Sequence, residues 1–288
     1  MKFSDNDISD YYHHTQSHYD KWWNLKDNLS IHYGLWFEGT KDFDTALKNT
    51  DREMAKYAGI CKGQKILDAG CGVGGAALFL VQEFDCYVEG VTLSSKQVNI
   101  ANAAANQLRL SNSAKFTQQS FSKTNFENNS FDVVWACEST CYANPKEDFL
   151  TEAFRVLKPG GKVIILDYFT TPKGLIDKNK NIKNWTNLWA IEKLYNWPDL
   201  SIALSVSKLK LISRKEYTKE VTPSAKKMHY RSFLGAIGSE LYNLFHNTTR
   251  FAKKHYQSGF YQYKALKNKE WEYWMVCLQK PINNPSKD

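Results

Sequence analysis

Lys65-Ile66-Leu67-Asp68-Ala69-Gly70-Cys71-Gly72-Val73-Gly74-Gly75 is the stretch whose reading decides the fold. Ile66 and Leu67 read as the end of a buried strand, the glycines permit a tight turn, and residues 76–84 read as the helix that follows. Such a turn brings bare backbone N–H groups and a helix N-terminus close to a ligand. A purely structural turn is the alternative, but four glycines cost chain entropy without adding packing. Gly70, Gly72 and Gly75 also satisfy the dinucleotide spacing G-x-G-x-x-G, so the first question is which nucleotide binds.

Asp68 discriminates. A pyrophosphate on this turn would lie near a carboxylate two residues before the first glycine, and like charges at that distance repel. A ligand presenting an ammonium there is attracted instead. S-adenosylmethionine has an amino-acid end, a sulfonium and no phosphate.

The 288-residue chain is long enough for a large core, and its 42% hydrophobic and 24% charged content is that of a soluble globular protein. The start is polar and acidic, and no apolar run approaches the length of a membrane span, which points to a cytoplasmic protein. Six cysteines without C-x-x-C or a nearby histidine pair predict reduced, packed thiols and no metal site. Charge is uneven: residues 1–170 carry a net −4 and residues 171–288 a net +12. The basic third suits an anionic substrate or peripheral contact with an anionic membrane, beside the plainer role of a solvated lysine-rich face. Self-association is compatible with this composition.

Four regions are expected: a helical, aromatic-rich cap over 1–60, an α/β core over 61–170, lid helices with a sixth strand over 171–260, and the end of a last helix, a closing strand and a loose tail over 261–288. In the cap, residues 31–36, including Tyr33, are expected to reach over the site, and a helix to span 43–58. Strands are predicted at 86–92, 114–119, 131–137 and 162–168. Ser94 to Gln97 fits a capping box, and Asn144-Pro145-Lys146-Glu147 reads as N-cap, first-turn proline and acidic third position. Further on, a helical stretch through Trp185 and Trp189 should end at Pro198. A strand within 209–221, helices over 223–245 and 249–266, and a strand at 271–279 follow. The alternation argues for a doubly wound, mostly parallel, seven-stranded Rossmann-like sheet.

The glycine turn, Asn129-Ser130-Phe131-Asp132 entering the fourth strand and Leu157-Lys158-Pro159-Gly160-Gly161 before the fifth resemble a class I S-adenosylmethionine-dependent methyltransferase over about residues 60–170. Val88-Glu89-Gly90-Val91-Thr92-Leu93-Ser94 and Glu138-Ser139-Thr140-Cys141-Tyr142 are similar to the sterol, tocopherol and geranyl diphosphate branch. The resemblance implies that Asp68, Gly70, Cys71, Gly72 and Gly74 hold the methionine part of S-adenosylmethionine, Thr92, Leu93 and Gln97 flank the ribose, and Ser120 and Phe121 flank the adenine. Tyr33 and Glu138 join this set. Ser120 stands where many class I enzymes carry an aspartate for the adenine amine, and Gln97 has a second role as third residue of the capping box.

Glu138, at the C-terminal end of the fourth strand, and Tyr142 are the catalytic candidates. A carboxylate there can orient the sulfonium, take a proton or stabilise developing positive charge. Tyr142 stands where many relatives have a histidine, and tyrosine is a poor base at neutral pH. That tilts the expectation from O-methylation to C-methylation of an alkene. The expected acceptor is a lipophilic small molecule of isoprenoid type: a sterol, a prenylated quinol or a prenyl diphosphate. An O- or N-methyltransferase of another metabolite and a catalytically silent cofactor-binding protein are the alternatives. No nucleic-acid partner is expected, because the Asn/Asp-Pro-Pro-Tyr motif is missing after the fourth strand. Trp22, Trp23, Trp36, Trp185, Trp189 and Trp197 are candidates to wall an apolar pocket, and Lys226, Lys227, Arg231, Lys253 and Lys254 to meet an anionic head group.

Overall fold

The computed structural model describes residues 2–22, 25–245 and 249–282. Seven strands form one sheet in the order β3-β2-β1-β4-β5-β7-β6: β1 Lys65–Ala69, β2 Tyr87–Thr92, β3 Ala114–Gln118, β4 Phe131–Cys137, β5 Leu157–Thr170, β6 Lys210–Glu216 and β7 Trp271–Gln279. The first five are parallel, and β7 runs antiparallel between β5 and β6. The chain therefore reverses its strand order between β1 and β4, where doubly wound sheets bind their ligands.

Two helical layers sandwich the sheet. Helices α1 Asp5–Trp22, α2 Leu25–Asn28, α3 Phe43–Ala58, α4 Gly75–Phe84 and α5 Ser95–Gln107 precede the switch in strand order. After it come α6 Lys146–Val156, α7 Pro172–Ile176, α8 Asn181–Leu188, α9 Trp197–Ser207, α10 Thr218–Phe245, α11 Arg250–Lys253 and α12 Gln257–Lys267. One apolar cluster includes Ile66, Val88, Trp135, Ile164 and Tyr168, and a second, across the sheet, includes Leu67, Val91, Val134, Ile165 and Phe169. Consecutive strand residues thus fall into opposite clusters, as a sheet buried on both faces requires. Helix α3 shows how local chemistry bounds an element. Asp42 caps its start by accepting from the Thr45 N–H at 2.7 Å, and Gly59, at φ +70°, ends it in the left-handed conformation.

Several expectations need correction. Pro198 does not end a helix. It lies in the first turn of α9, where its missing N–H is harmless, and Asn196 supplies the cap. Asn144 is not the cap of α6: Pro145 occupies that position and the Asn144 side chain bonds Glu192. β5 starts at Leu157, so the Pro-Gly-Gly turn is an irregularity inside the strand, with a register shift against Phe131 and Val133. Residues 218–221, expected to end the sixth strand, are the first turn of α10, and the segment 249–266 is two helices, α11 and α12. The Trp22 and Trp23 side chains and the tail from residue 283 lie outside what the structure describes.

Candidate active site

A cavity of about 700 Å³ opens at the C-terminal ends of β1, β2 and β4. The turn after β1 forms its floor, the strap of residues 29–33 and α1 cover it, and α10 closes one side. Gly70 has φ +96°, and a Cβ on it would lie 2.4 Å from the Ser139 Cβ. The ends of β1 and β4 approach too closely there for any side chain, and the Ser139 hydroxyl bridges them by donating to the Ala69 carbonyl at 2.5 Å. Gly72 is different: at φ +53° it faces the cavity, and a Cβ would meet only Ile31 Cδ1, at 3.5 Å. Gly74, expected to touch the ligand, instead faces Phe116 and Ala101 and is a packing glycine off the cavity wall.

The turn is less bare than its composition suggests. The N–H groups of Gly70 and Cys71 donate to the Val91 carbonyl, that of Gly74 to Cys71 and that of Gly75 to Leu29. Asp68, in contrast, is buried at the wall with Oδ2 unpartnered. Burial, reinforced by the Asp51 charge, pushes its carboxyl up to about 7, against the opposing pull of His32. An unpaired buried carboxyl beside an open cavity calls for a cationic partner.

His32 supplies charge from behind. Its Nε2 lies 3.4 Å from Asp51 Oδ1 on α3, and its Nδ1 is 3.0 Å from the Tyr33 carbonyl. Burial disfavours the imidazolium, but Asp51 and then Glu138 outweigh it, and the ring is pushed up to about 9. A buried cation thus stands among Asp51, Asp68 and Glu138.

At the end of β2, Ser94 caps α5 by accepting from the Gln97 N–H at 3.3 Å. The Gln97 side chain does not complete the capping box. Its Oε1 accepts from the Thr92 hydroxyl at 2.7 Å, and its Nε2 is buried at the cavity wall without a partner. Leu93, Ser120 and Phe121 continue this wall, with Phe121 held edge-on to Phe149 at 5.4 Å.

Glu138 follows β4 in the left-handed conformation, φ +49°, unusual for a residue with a Cβ. Its Oε1 accepts from the Tyr33 N–H at 2.8 Å and the Tyr273 hydroxyl at 2.6 Å, and Oε2 accepts from the Tyr168 hydroxyl. Burial raises its carboxyl above the ordinary range, while the His32 charge and the two tyrosines oppose that shift. The turn beyond it is braced. Asp167 accepts from the Thr140 hydroxyl at 2.6 Å and the Cys141 N–H at 2.9 Å, and Lys146 donates to the carbonyls of Thr140 and Cys141. Tyr142 lines the cavity with its ring 5.7 Å from that of Tyr12, and burial holds its phenol well above the usual range.

Of the candidate site residues, Tyr33, Asp68, Gly70, Cys71, Gly72, Thr92, Leu93, Gln97, Ser120, Phe121, Glu138 and Tyr142 all meet at this one cavity. Of the tryptophans proposed to wall it, Trp189 does; Trp185 packs behind Tyr168, Trp36 bonds Ser224, and Trp197 lies on the opposite sheet face against Phe169 and Trp274. Of the proposed cations, Arg231 reaches the cavity. Sequence reasoning missed Tyr168 and Tyr273, which face each other across β5 and β7, placed His32 only within the segment reaching over the site, and gave no role to Asp51. Strand alternation would have put the two tyrosines on one face, but their pairing needs the register. Among the described residues, no group of three His, Cys, Asp or Glu is placed to hold a metal ion.

Residues 67–165 match the model of the methyltransferase domain family Methyltransf_11. Over 163 residues the chain is 33% identical to the sterol 24-C-methyltransferase ERG6 of Saccharomyces cerevisiae, covering 57% of this chain and 41% of that one. The chain thus spans less than half the length of that curated relative. In fold it is similar to geranyl diphosphate C-methyltransferase from Streptomyces coelicolor A3(2), solved with Mg2+, geranyl diphosphate and S-adenosyl-L-homocysteine (17% identity, 96% and 97% of the two chains, TM-score 0.75). It is likewise similar to the cyclopropane synthase MmaA2 from Mycobacterium tuberculosis (13% identity, 97% and 99%, TM-score 0.81). Residues 67–165 therefore match a methyltransferase domain, and over 57% of its length the chain is similar in sequence to a sterol 24-C-methyltransferase.

Proposed function

We propose that this protein transfers a methyl group from S-adenosylmethionine to a carbon of a lipophilic isoprenoid acceptor: a sterol, a prenylated quinol or a prenyl diphosphate. The observation that carries the proposal is Glu138, a carboxylate held by three donors at the wall of a cavity that Tyr12, Tyr19, Trp135, Tyr142 and Trp189 also line.

The cofactor fits the residues present. The unpartnered Asp68 Oδ2 would take its ammonium and Gln97 Nε2, steadied by Thr92, would donate to a ribose hydroxyl oxygen. Gly72 leaves room for the methionine backbone, and Leu93, Ser120 and Phe121 would flank the adenine side. Bound there, S-adenosylmethionine supplies an electrophilic methyl group on a sulfonium.

The chain's own residues then have three tasks. Orienting the acceptor in line with that methyl can lower the barrier by on the order of 7–11 kcal/mol. Glu138 stabilises the positive charge that methylation of an alkene leaves on the acceptor, and accepts the proton lost when the double bond re-forms. The aromatic faces around it add cation–π attraction, and the strap and α10 keep water out. Tyr142, neutral at working pH, shapes this wall and is no base. Sequence similarity to a sterol 24-C-methyltransferase supports an isoprenoid acceptor. The test is transfer of labelled methyl to sterols, prenylated quinols and prenyl diphosphates, beside small polar amines and RNA. Transfer only to an amine or to RNA would overturn the isoprenoid acceptor.

A further inference from the structure

Helix α10 has two sides. Val221, Ser224, Ala225, Met228 and Ser232 are buried, whereas Tyr230, Phe233, Leu234 and Ile237 are 59%, 54%, 63% and 66% exposed. The four exposed residues fall at i, i+3, i+4 and i+7, a single broad face of the helix. A contiguous apolar stripe on a folded surface marks something that covers it.

The same face carries cations at its N-terminal half. Lys226, Lys227 and Arg231 ring a shallow hollow together with Pro223, Tyr230 and Leu234. The Lys226 ammonium lies 5.9 Å from the Tyr230 ring and that of Lys227 lies 4.7 Å from the Phe43 ring, so the charges are held beside apolar surface. Large apolar residues interleaved with cations on one helix face suit the boundary between headgroups and acyl chains of an anionic membrane.

We infer that the outward face of α10 docks on an anionic lipid bilayer. Charge selects this occupant: residues 171–288 carry a net +12, so the basic surfaces of two copies would repel, whereas an anionic bilayer attracts Lys226 and Lys227. Glu240, nearer the helix end, is engaged by the Tyr256 hydroxyl. The opposite side of the helix gives the location a purpose, because Met228, Ser232, Gly235 and Ser239 line the cavity. A lipophilic acceptor leaving the bilayer would pass one helix's width, about 10 Å, to reach the site. Delivery of the acceptor rests on the methyl-transfer reading, but docking is measured by vesicle binding alone, so the two can fail separately.

The experiment is co-sedimentation of the full chain with vesicles of phosphatidylcholine, with and without phosphatidylglycerol. The protein should bind only the anionic vesicles, and added salt should release it. Lys226→Gln with Lys227→Gln should weaken binding roughly thirty-fold. Leu234→Ser with Ile237→Ser should weaken it comparably, and retained S-adenosylhomocysteine binding would show that both variants fold. Absence of binding, equal binding to phosphatidylcholine alone, or wild-type binding by both variants would overturn the inference. So would a dimer that the apolar variant dissociates while no vesicle binding occurs, since a second copy would then cover the face.

Discussion

The Tyr33 backbone N–H donates to Glu138 Oε1 at 2.8 Å, joining residues 105 apart in sequence. The strap that covers the site and the carboxylate at the end of β4 are therefore one hydrogen-bonded unit. Holding the carboxylate by backbone and by two phenols aims it without a flexible side-chain partner.

Glu138→Gln keeps the shape of this unit and removes its charge. Turnover should fall at least a hundredfold, about 3 kcal/mol of transition-state stabilisation. S-adenosylhomocysteine binding should survive in calorimetry. Unchanged turnover would remove Glu138 from the chemistry.

Gly72→Val places a branched side chain in the cavity and in a left-handed backbone conformation. Calorimetry should show S-adenosylhomocysteine binding by the wild type and none by the variant, with the fold retained by circular dichroism. NAD should bind neither, because Asp68 repels its pyrophosphate.

Cofactor affinity should depend on pH through Asp68. In the free protein its carboxyl sits at about 7, so the ionised form that attracts an ammonium grows between pH 6 and 8. The dissociation constant should tighten about tenfold over that interval, following the ionised fraction. Asp68→Asn should bind weakly, with a flat profile. A wild-type profile that weakens with rising pH would contradict this role.

His32 makes a stability prediction. Its folded value is about 9, above the 6.5 of a free imidazole. The Asp51–His32 pair then contributes stability that is fully present below pH 6.5 and is lost as pH rises through 9. In urea unfolding, the advantage of wild type over His32→Gln should be largest near pH 6 and shrink toward pH 10. A gap that widens with pH would reverse the assignment.

Tyr142→Phe removes a hydroxyl that burial keeps protonated. If the ring acts by packing beside Tyr12, turnover should stay within about tenfold of wild type, against the two orders expected of a proton-transfer residue. A larger loss, with a shifted pH–rate profile, would make the phenol a proton carrier.

Local chemistry alone determined much of this protein. Helix α3 and strands β4 and β7 follow from period and turn residues within the segments themselves, and the strand-glycine-helix turn fixed the class of sheet. Asp68 was legible for a similar reason, since charge type and distance from the turn are both written in the chain. Tertiary structure decided whatever depended on register and on which segment covers which. Tyr168 and Tyr273 meet at Glu138 only because β7 pairs antiparallel with β5 in one register, and a slip by one residue would turn Tyr273 to the other face. Gln97 could serve its own helix cap or the site, and the choice came from the Thr92 hydroxyl across the turn. The tryptophans were ambiguous because large aromatic residues satisfy the same burial energy in any core; only packing put Trp189 on the cavity and Trp197 on the opposite face of the sheet.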